Sequence, residues 1–235
     1  MNGTPQAQGL YDPQNEHDAC GVGFVADVKG RKSHTIVQEG LEILLKLDHR
    51  GAVGADPLAG DGAGLLAQSP DAMFRAQDLG FELPPFGEYA VGQLFMPKED
   101  AQRQTIVETL ETTMREEGLT PLGWRDVPVN PDGLGVSVRR TEPLVCPFFV
   151  TGDIAKTDQD AFERKVLVER KQIGKRVTLG GWPGAEDSYV CPFTSRTICY
   201  KDMLMAGQVG ANSLDHQITE FVLETALGHE CFSYK

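Results

Sequence analysis

The sequence lacks a run of apolar residues long enough to cross a bilayer, so we expect no membrane span. It is also poor in basic residues: 22 Lys and Arg stand against 34 Asp and Glu, for a formal net charge of −12. Proteins that bind nucleic acid cluster Lys and Arg against the phosphates, so we expect no nucleic-acid partner. Residues 1–19 contain no Lys or Arg and no apolar block, and they resemble neither a secretory signal nor a transit peptide.

Cysteines are few for a chain of 235 residues, and no two of them form a C-x-x-C pair. This spacing gives little support to a zinc or iron–sulfur site and excludes a disulfide scaffold. A reducing cytoplasm is the simplest compartment for such a protein. The five cysteines are Cys20, Cys146, Cys191, Cys199 and Cys231.

The most informative stretch is residues 18–26, in which Cys20 precedes a short apolar run containing two glycines. Val22 and Phe24 are typical of a buried strand, and Gly21 and Gly23 let another group approach the backbone beside the sulfur. A nucleophile needs such an open approach on a fixed scaffold. The alternative is a structural cysteine that begins a core strand.

A helix is predicted over residues 35–48, with a capping box at Thr35 and Gln38 and its end at Gly51. Residues 51–64 form a loop rich in Gly, Ala and Asp. It contains neither a phosphate-loop nor a dinucleotide-binding glycine pattern, and it is acidic, so we interpret it as a turn close to Cys20.

Strands and helices alternate along the rest of the chain, which predicts an α/β fold. Residues 101–117 are the clearest later helix, and we expect this helix and the 35–48 helix to pack on one face. Residues 189–193 and 197–200 are predicted as paired strands, and residues 218–227 as a helix.

Four stretches in this order resemble the N-terminal glutamine amidotransferase domain of the glutamate synthase large subunit. They are residues 20–26, 47–52, 55–64 and 195–201, within a match from about residue 11 to residue 211. The resemblance implies a class II amidotransferase, an N-terminal-nucleophile hydrolase whose fold is a four-layer αββα sandwich. We therefore expect an incomplete version of that sandwich with mostly antiparallel strands.

By this resemblance residues 1–19 are a leader, and its removal makes Cys20 the N-terminal nucleophile. The α-amino group of Cys20 then serves as the base for its own thiol. Arg50 lies beside the cysteine in related amidotransferases, so Arg50, Gly51 and Asp61 are candidate supporting residues. For Arg50 the alternative is a favourable charge at the helix C-terminus.

The implied substrate is L-glutamine, whose ammonia passes to synthase domains that aminate 2-oxoglutarate. In the full-length family protein those domains carry FMN and an iron–sulfur cluster, whereas this segment is expected to hold no cofactor and no metal. A small electron-donating subunit is a further expected partner. The electron donor, NADPH, NADH or ferredoxin, is left open by the sequence.

The resemblance weakens after Ala211, so we expect a domain over residues 20–211 and a non-matching tail over 212–235. No His-x-Arg segment occurs, and the one Asn-Gly pair, Asn2-Gly3, precedes Cys20. In the family these residues hold the glutamine carboxylate and form the oxyanion hole. We therefore expect a truncated or frame-shifted chain with little activity alone. The alternatives are another class II amidotransferase and a non-catalytic remnant.

Overall fold

The computed structural model describes residues 8–9, 20–51, 53, 56–181, 183–186 and 188–231. Its strands are β1 (Gly21–Ala26), β2 (Ala63–Gln68), β3 (Tyr89–Met96), β4 (Thr120–Trp124), β5 (Leu144–Thr151), β6 (Tyr189–Thr194), β7 (Thr197–Asp202) and β8 (Thr225–Glu230). Its α-helices are α1 (His34–Leu47), α2 (Asp71–Arg75), α3 (Asp100–Glu116), α4 (Val136–Thr141), α5 (Asp153–Thr157), α6 (Gln159–Leu179) and α7 (Ala206–Asn212).

The strands form two four-stranded sheets, and neighbouring strands within each sheet are antiparallel. The first sheet has the order β1-β8-β2-β7 and the second the order β4-β5-β3-β6. Helices pack against both sheets. This confirms the predicted α/β class with antiparallel strands, and it is consistent with an N-terminal-nucleophile hydrolase fold.

Helix α1 covers one face of the first sheet because glycines allow it to lie close to the strands. A Cβ atom on Gly40 would be 2.8 Å from the Cβ of Ala226, and one on Gly228 would be 3.0 Å from Leu44. The predicted capping box is wrong: Ser33 is the N-cap residue, and its side chain makes no capping hydrogen bond. Gln38 instead contacts the ring of His34 through its side-chain amide, at 2.9 Å.

Helices α3 and α6 pack together on the second sheet and bury a core that includes Ile106, Phe148 and Phe162. The expectation that the 35–48 and 101–117 helices share one face is therefore wrong, because α1 lies on the first sheet and α3 on the second. Both helices are amphipathic, and their periodicity shows which side is buried but not which sheet buries it.

The topology corrects one predicted strand pairing and one predicted helix. Strands β6 and β7 follow each other in the chain but belong to different sheets, where β6 pairs with β3 and β7 with β2. The helix predicted over residues 218–227 is also wrong, because strand β8 begins at Thr225. Strand β8 lies inside the first sheet between β1 and β2, so pairing on both sides outweighs the local helical pattern.

A buried carboxyl group on α6 should make stability depend on pH. Glu169 is 0% exposed, and within the described part of the chain neither of its side-chain oxygens has a hydrogen-bond partner. Burial, assisted by the charge of Glu117, raises its pKa from 4.5 to about 7. The unfolded chain therefore ionises this group at lower pH than the folded chain, and the free energy of unfolding falls as the pH rises from 4.5 to about 7.

We expect Glu169→Gln to remove that part of the pH dependence. Between about pH 5 and about pH 8, the stability of the variant relative to the parent should rise by roughly 2–3 kcal/mol. Denaturant unfolding at the two pH values measures this difference. Glu39→Gln, on the exposed side of α1, is the matched control and should show no such rise. Parallel pH profiles for Glu169→Gln and the parent would contradict the assignment.

Within the described residues, no helix is both long and apolar enough to span a bilayer. The leader predicted over residues 1–19 lies outside the described residues, apart from Gln8 and Gly9.

Candidate functional site

Cys20 lies immediately before β1, and its side chain is exposed. In the ladder between β1 and β8, Gly21 pairs with Glu230 and Val22 with His229, so one further step places Cys20 opposite Cys231. Side chains of directly opposed residues point to the same side of a sheet and alternate along each strand. Cys20, Val22, His229 and Cys231 therefore share the face of the first sheet that α1 does not cover.

The three polar side chains on this face are close together. The sulfur atoms of Cys20 and Cys231 and a ring nitrogen of His229 all lie within 4.8 Å of one another. The Sγ of Cys231 is 3.6 Å from Nδ1 of His229. The backbone N–H of Cys231 donates to the carbonyl oxygen of Gly62 at 2.8 Å, which fixes the chain beyond β8. Two thiols and an imidazole thus meet beside the start of β1.

A cavity of about 260 Å³ lies next to this group. His229 and Cys231 line one side of it, and Asp61, Lys201 and Asp202 are among its other lining residues. The cavity therefore combines one cationic side chain with two carboxyl groups beside the thiols. Its volume is slightly below the range of about 300–1,000 Å³ that is usual for drug-sized ligands, which suits a smaller polar molecule.

Two positions near the cavity require glycine because neighbouring segments approach closely. Gly64 lies between His229 and Lys201 in the sheet, and a Cβ atom there would be 2.8 Å from the Cβ of Lys201. At Gly60 a Cβ atom would be 2.6 Å from the backbone oxygen of Leu204, a contact that no side-chain rotation can relieve. Glycine is therefore required at these two positions, because a side chain there would collide with the neighbouring segment.

The predicted supporting residues lie near the start of β1, on both sides of the first sheet. Arg50 packs against Gly21 on the α1 side, where a Cβ atom of Gly21 would be 3.0 Å from the Cβ of Arg50. A Cβ atom on Gly51 would be 2.4 Å from the carboxyl group of Glu230, and Asp61 lines the cavity. The structure thus brings Arg50, Gly51 and Asp61 into the neighbourhood of Cys20, with Asp61 on the cavity side.

Burial alters the electrostatics of the acidic groups near the site. Glu230 is 2% exposed, and burial together with the charge of Asp48 raises its pKa to about 7, although a backbone hydrogen bond from Ala206 opposes the shift. Burial likewise raises the pKa of Asp202. At neutral pH a share of the Glu230 carboxyl groups is therefore protonated, which lowers the negative charge behind Cys20.

Sequence reasoning missed His229, Cys231 and Lys201 as site residues. His229 and Cys231 are some 200 positions from Cys20 in the numbering, and only the pairing of β1 with β8 brings them together. The available signal was the alternation of His229 and Cys231 at strand spacing. The helical pattern of residues 218–227 masks this signal.

A sequence profile of the family described as "Glutamine amidotransferases class-II" matches residues 20–235. That match includes residues 212–235, the segment that was expected to lie outside the family. The chain is 42% identical over 232 residues to the glutamate synthase [NADPH] large chain of Bacillus subtilis (strain 168), covering 99% of this chain and 15% of the relative.

Two further relatives differ from it in the electron donor that their names give. The glutamate synthase [NADH] of Schizosaccharomyces pombe is 38% identical over 239 residues, covering 97% of this chain and 11% of the relative. The ferredoxin-dependent glutamate synthase 1 of Arabidopsis thaliana is 36% identical over 232 residues, covering 97% of this chain and 14% of the relative. The chain spans about a seventh or less of the length of these relatives. It belongs to the class II glutamine amidotransferase family, as a homologue of the glutaminase domains of glutamate synthases.

Proposed function

We propose that the chain supplies the glutaminase step of a glutamate synthase, with Cys20 as the nucleophile. The observation that carries this proposal is the exposed thiol of Cys20 at the start of β1, beside a small cavity lined by both acidic and basic side chains. A structural cysteine in a core strand would be enclosed, whereas a nucleophile must be reachable by its substrate. Membership of the family supports the same assignment.

The chemistry follows from a free N-terminus at Cys20, which requires removal of residues 1–19. The α-amine takes the proton from the thiol, and the thiolate attacks the side-chain amide carbon of glutamine. The tetrahedral intermediate expels its nitrogen as ammonia after that nitrogen gains a proton. A glutamyl thioester on Cys20 remains, and water cleaves it to release glutamate and restore the thiol.

Recognition of the substrate is assigned to the charged lining of the cavity. Glutamine is a zwitterion, so a site for it needs an anionic group for the ammonium and a cationic group for the carboxylate. Asp61, in the loop before β2, and Lys201, on β7, offer these two charges in the lining of the cavity. The resemblance implies a His-x-Arg segment at such a site. Residues 229–231 instead read His-Glu-Cys, so Cys231 stands two residues after the histidine. A cysteine carries no positive charge for the carboxylate.

The remaining activities belong to parts of the whole protein beyond these residues. FMN, an iron–sulfur cluster and the amination of 2-oxoglutarate are proposed for the synthase domains, with a small electron-donating subunit where the donor is a nicotinamide. An iron–sulfur cluster usually takes four thiolate ligands, and the described residues bring together only two cysteines and a histidine in such a group. We propose a cytoplasmic location for the assembly.

Labelling with an electrophilic analogue of glutamine tests the proposal. The chain without residues 1–19 should be treated with glutamine's chloromethyl ketone analogue and digested for mass spectrometry. We expect alkylation of Cys20 at least about tenfold faster than of any other thiol, and slowed by added glutamine, because recognition raises the local concentration of the electrophile. Iodoacetamide, which has no amino-acid portion, should not show that protection.

Matched cysteine variants complete the labelling experiment. Cys20→Ser should abolish the glutamine-sensitive label, and Cys191→Ser, outside the lining of this cavity, should leave it unchanged. A label on Cys20 that glutamine does not slow would contradict the proposed substrate. Turnover should remain low in these 235 residues, because loss of one oxyanion-hole donor typically costs about 10²–10³ in rate and no Asn-Gly pair follows Cys20.

A further inference from the structure

We propose that Cys20, His229 and Cys231 form a binding site for a single thiophilic divalent cation, with Zn²⁺ the best-fitting ion. Two thiolates and an imidazole are ligands that zinc prefers, and calcium or magnesium would need oxygen ligands instead. The site itself is independent of the proposed function. Its consequence for catalysis, the blocking of Cys20, rests on that function.

The distances in the group are close to those of a tetrahedral zinc site. Zinc–sulfur and zinc–nitrogen bonds of about 2.3 and 2.0–2.1 Å imply a separation of roughly 3.6 Å between a sulfur and a nitrogen ligand. The Sγ of Cys231 is 3.6 Å from Nδ1 of His229. The same sulfur is 3.8 Å from Nε2 of His229, so the imidazole ring must turn to aim one nitrogen lone pair at the ion. The remaining separations are at most 4.8 Å, and a rotation of the exposed Cys20 side chain would bring its sulfur into range.

The backbone holds two of the three ligands in place before any ion arrives. His229 belongs to β8, which is paired on both sides, with Val22 of β1 and Gly64 of β2 as its neighbours. Cys231 is anchored by its N–H bond to Gly62. Gly62, just before β2, and Gly64, opposite His229 on β2, have no side chains that could extend toward the metal position. An ordered scaffold of this kind lowers the entropic cost of binding.

Binding would release two protons, one from each thiol, because both sulfurs bond to zinc as thiolates. His229 would donate a nitrogen lone pair to the ion. Three protein ligands leave a fourth position for water, on the side of the cavity that His229 and Cys231 line. With its sulfur lone pair bound to the cation, Cys20 cannot attack an amide carbon. Zinc would therefore act as a reversible inhibitor of the nucleophile.

The spacing of cysteines in the sequence did not indicate this site, because its ligands come from two ends of the chain. The family resemblance implied a cysteine nucleophile and no metal in this segment. The site arises because an antiparallel pairing places Cys20 opposite Cys231, with His229 two residues away on the same face.

Titration with CoCl₂ tests the site, because thiolate-bound tetrahedral cobalt has a sulfur-to-metal charge-transfer band and strong visible bands. We expect one equivalent of cobalt to bind to the full chain reduced with a phosphine, and ZnCl₂ to displace it. Cys231→Ser and His229→Ala should each weaken binding by at least about tenfold. Cys191→Ser keeps the three ligands and should bind like the parent.

Three outcomes would overturn the proposal: no charge-transfer band, a band unaffected by Cys231→Ser, or a band lost in Cys191→Ser. Protection provides a second readout, since ZnCl₂ should slow iodoacetamide labelling of Cys20 by at least about tenfold and a chelator should restore it. Equal labelling with and without zinc would also overturn it. Because the cobalt spectrum involves no glutamine, its failure is distinguishable from failure of the glutamine-analogue labelling in metal-free protein.

Discussion

Replacing Asp215 by alanine should lower the free energy of unfolding by about 3–5 kcal/mol, because it leaves a buried cation without its partner. Asp215 is 0% exposed and accepts two hydrogen bonds from the guanidinium of Arg125, one of them at 2.8 Å. The hydroxyl of Tyr200 donates to the same carboxylate at 2.8 Å. The pair joins the segment after β4 to the short 3₁₀ helix Leu214–Gln217.

Urea unfolding of the parent and of Asp215→Ala measures the loss. Glu42→Ala, which removes an exposed ion pair with Lys46 on α1, is the control and should change stability much less. The double variant Arg125→Met with Asp215→Leu should recover part of the loss, because an apolar pair leaves no buried charge unpaired, although the Tyr200 hydroxyl then lacks its acceptor. A loss in Asp215→Ala no larger than in Glu42→Ala would show that this ion pair is not buried in solution.

Replacing Phe149 by alanine should also cost about 3–5 kcal/mol, as is typical of a large aromatic side chain removed from a packed core. Phe149 lies on β5, in the interior of the second sheet, and is 0% exposed. Its ring packs edge-on against Phe74, with centroids 5.0 Å apart, and lies 5.2 Å from the ring of Phe81. Alanine would leave a cavity where side chains from β5, α2 and the following loop meet.

Phe24→Ala is the matched control, because Phe24 lies on β1 of the first sheet and is 71% exposed. The same chemical change should there alter the free energy of unfolding by less than about 1 kcal/mol, since little buried area is lost. Thermal unfolding with a common baseline compares the two variants. Similar losses at both positions would mean that Phe24 is covered in solution or that Phe149 is not packed as described.

Local patterns were sufficient where a segment's own residues decide its structure. The strand after Cys20 and helices α1 and α3 begin and end within a few residues of the predicted positions. Apolar side chains such as Ile106 and Leu110 recur at helical spacing, and they are buried in the core as that spacing predicts. The alternation of strands and helices likewise predicted the α/β class.

Local patterns did not predict which strands pair in a sheet. The hairpin expected from β6 and β7 does not form, because each strand gains more from a distant neighbour than from the adjacent one in sequence. Residues 225–230 have helical periodicity with their upstream neighbours, yet they pair with β1 and β2 on both sides. Strand pairing is a contact between residues far apart in the chain, and no local window contains both halves of it.

The candidate site likewise depends partly on local sequence and partly on tertiary structure. The sequence by itself determined that a cysteine follows a polar segment, begins a strand with two glycines and precedes an acidic, glycine-rich loop. The tertiary structure alone decided what surrounds that cysteine. Pairing of β1 with β8 set His229 and Cys231 beside Cys20, and pairing of β2 with β7 set Lys201 across the cavity. These groups meet because hydrogen-bond register places residues opposite one another regardless of their distance along the chain.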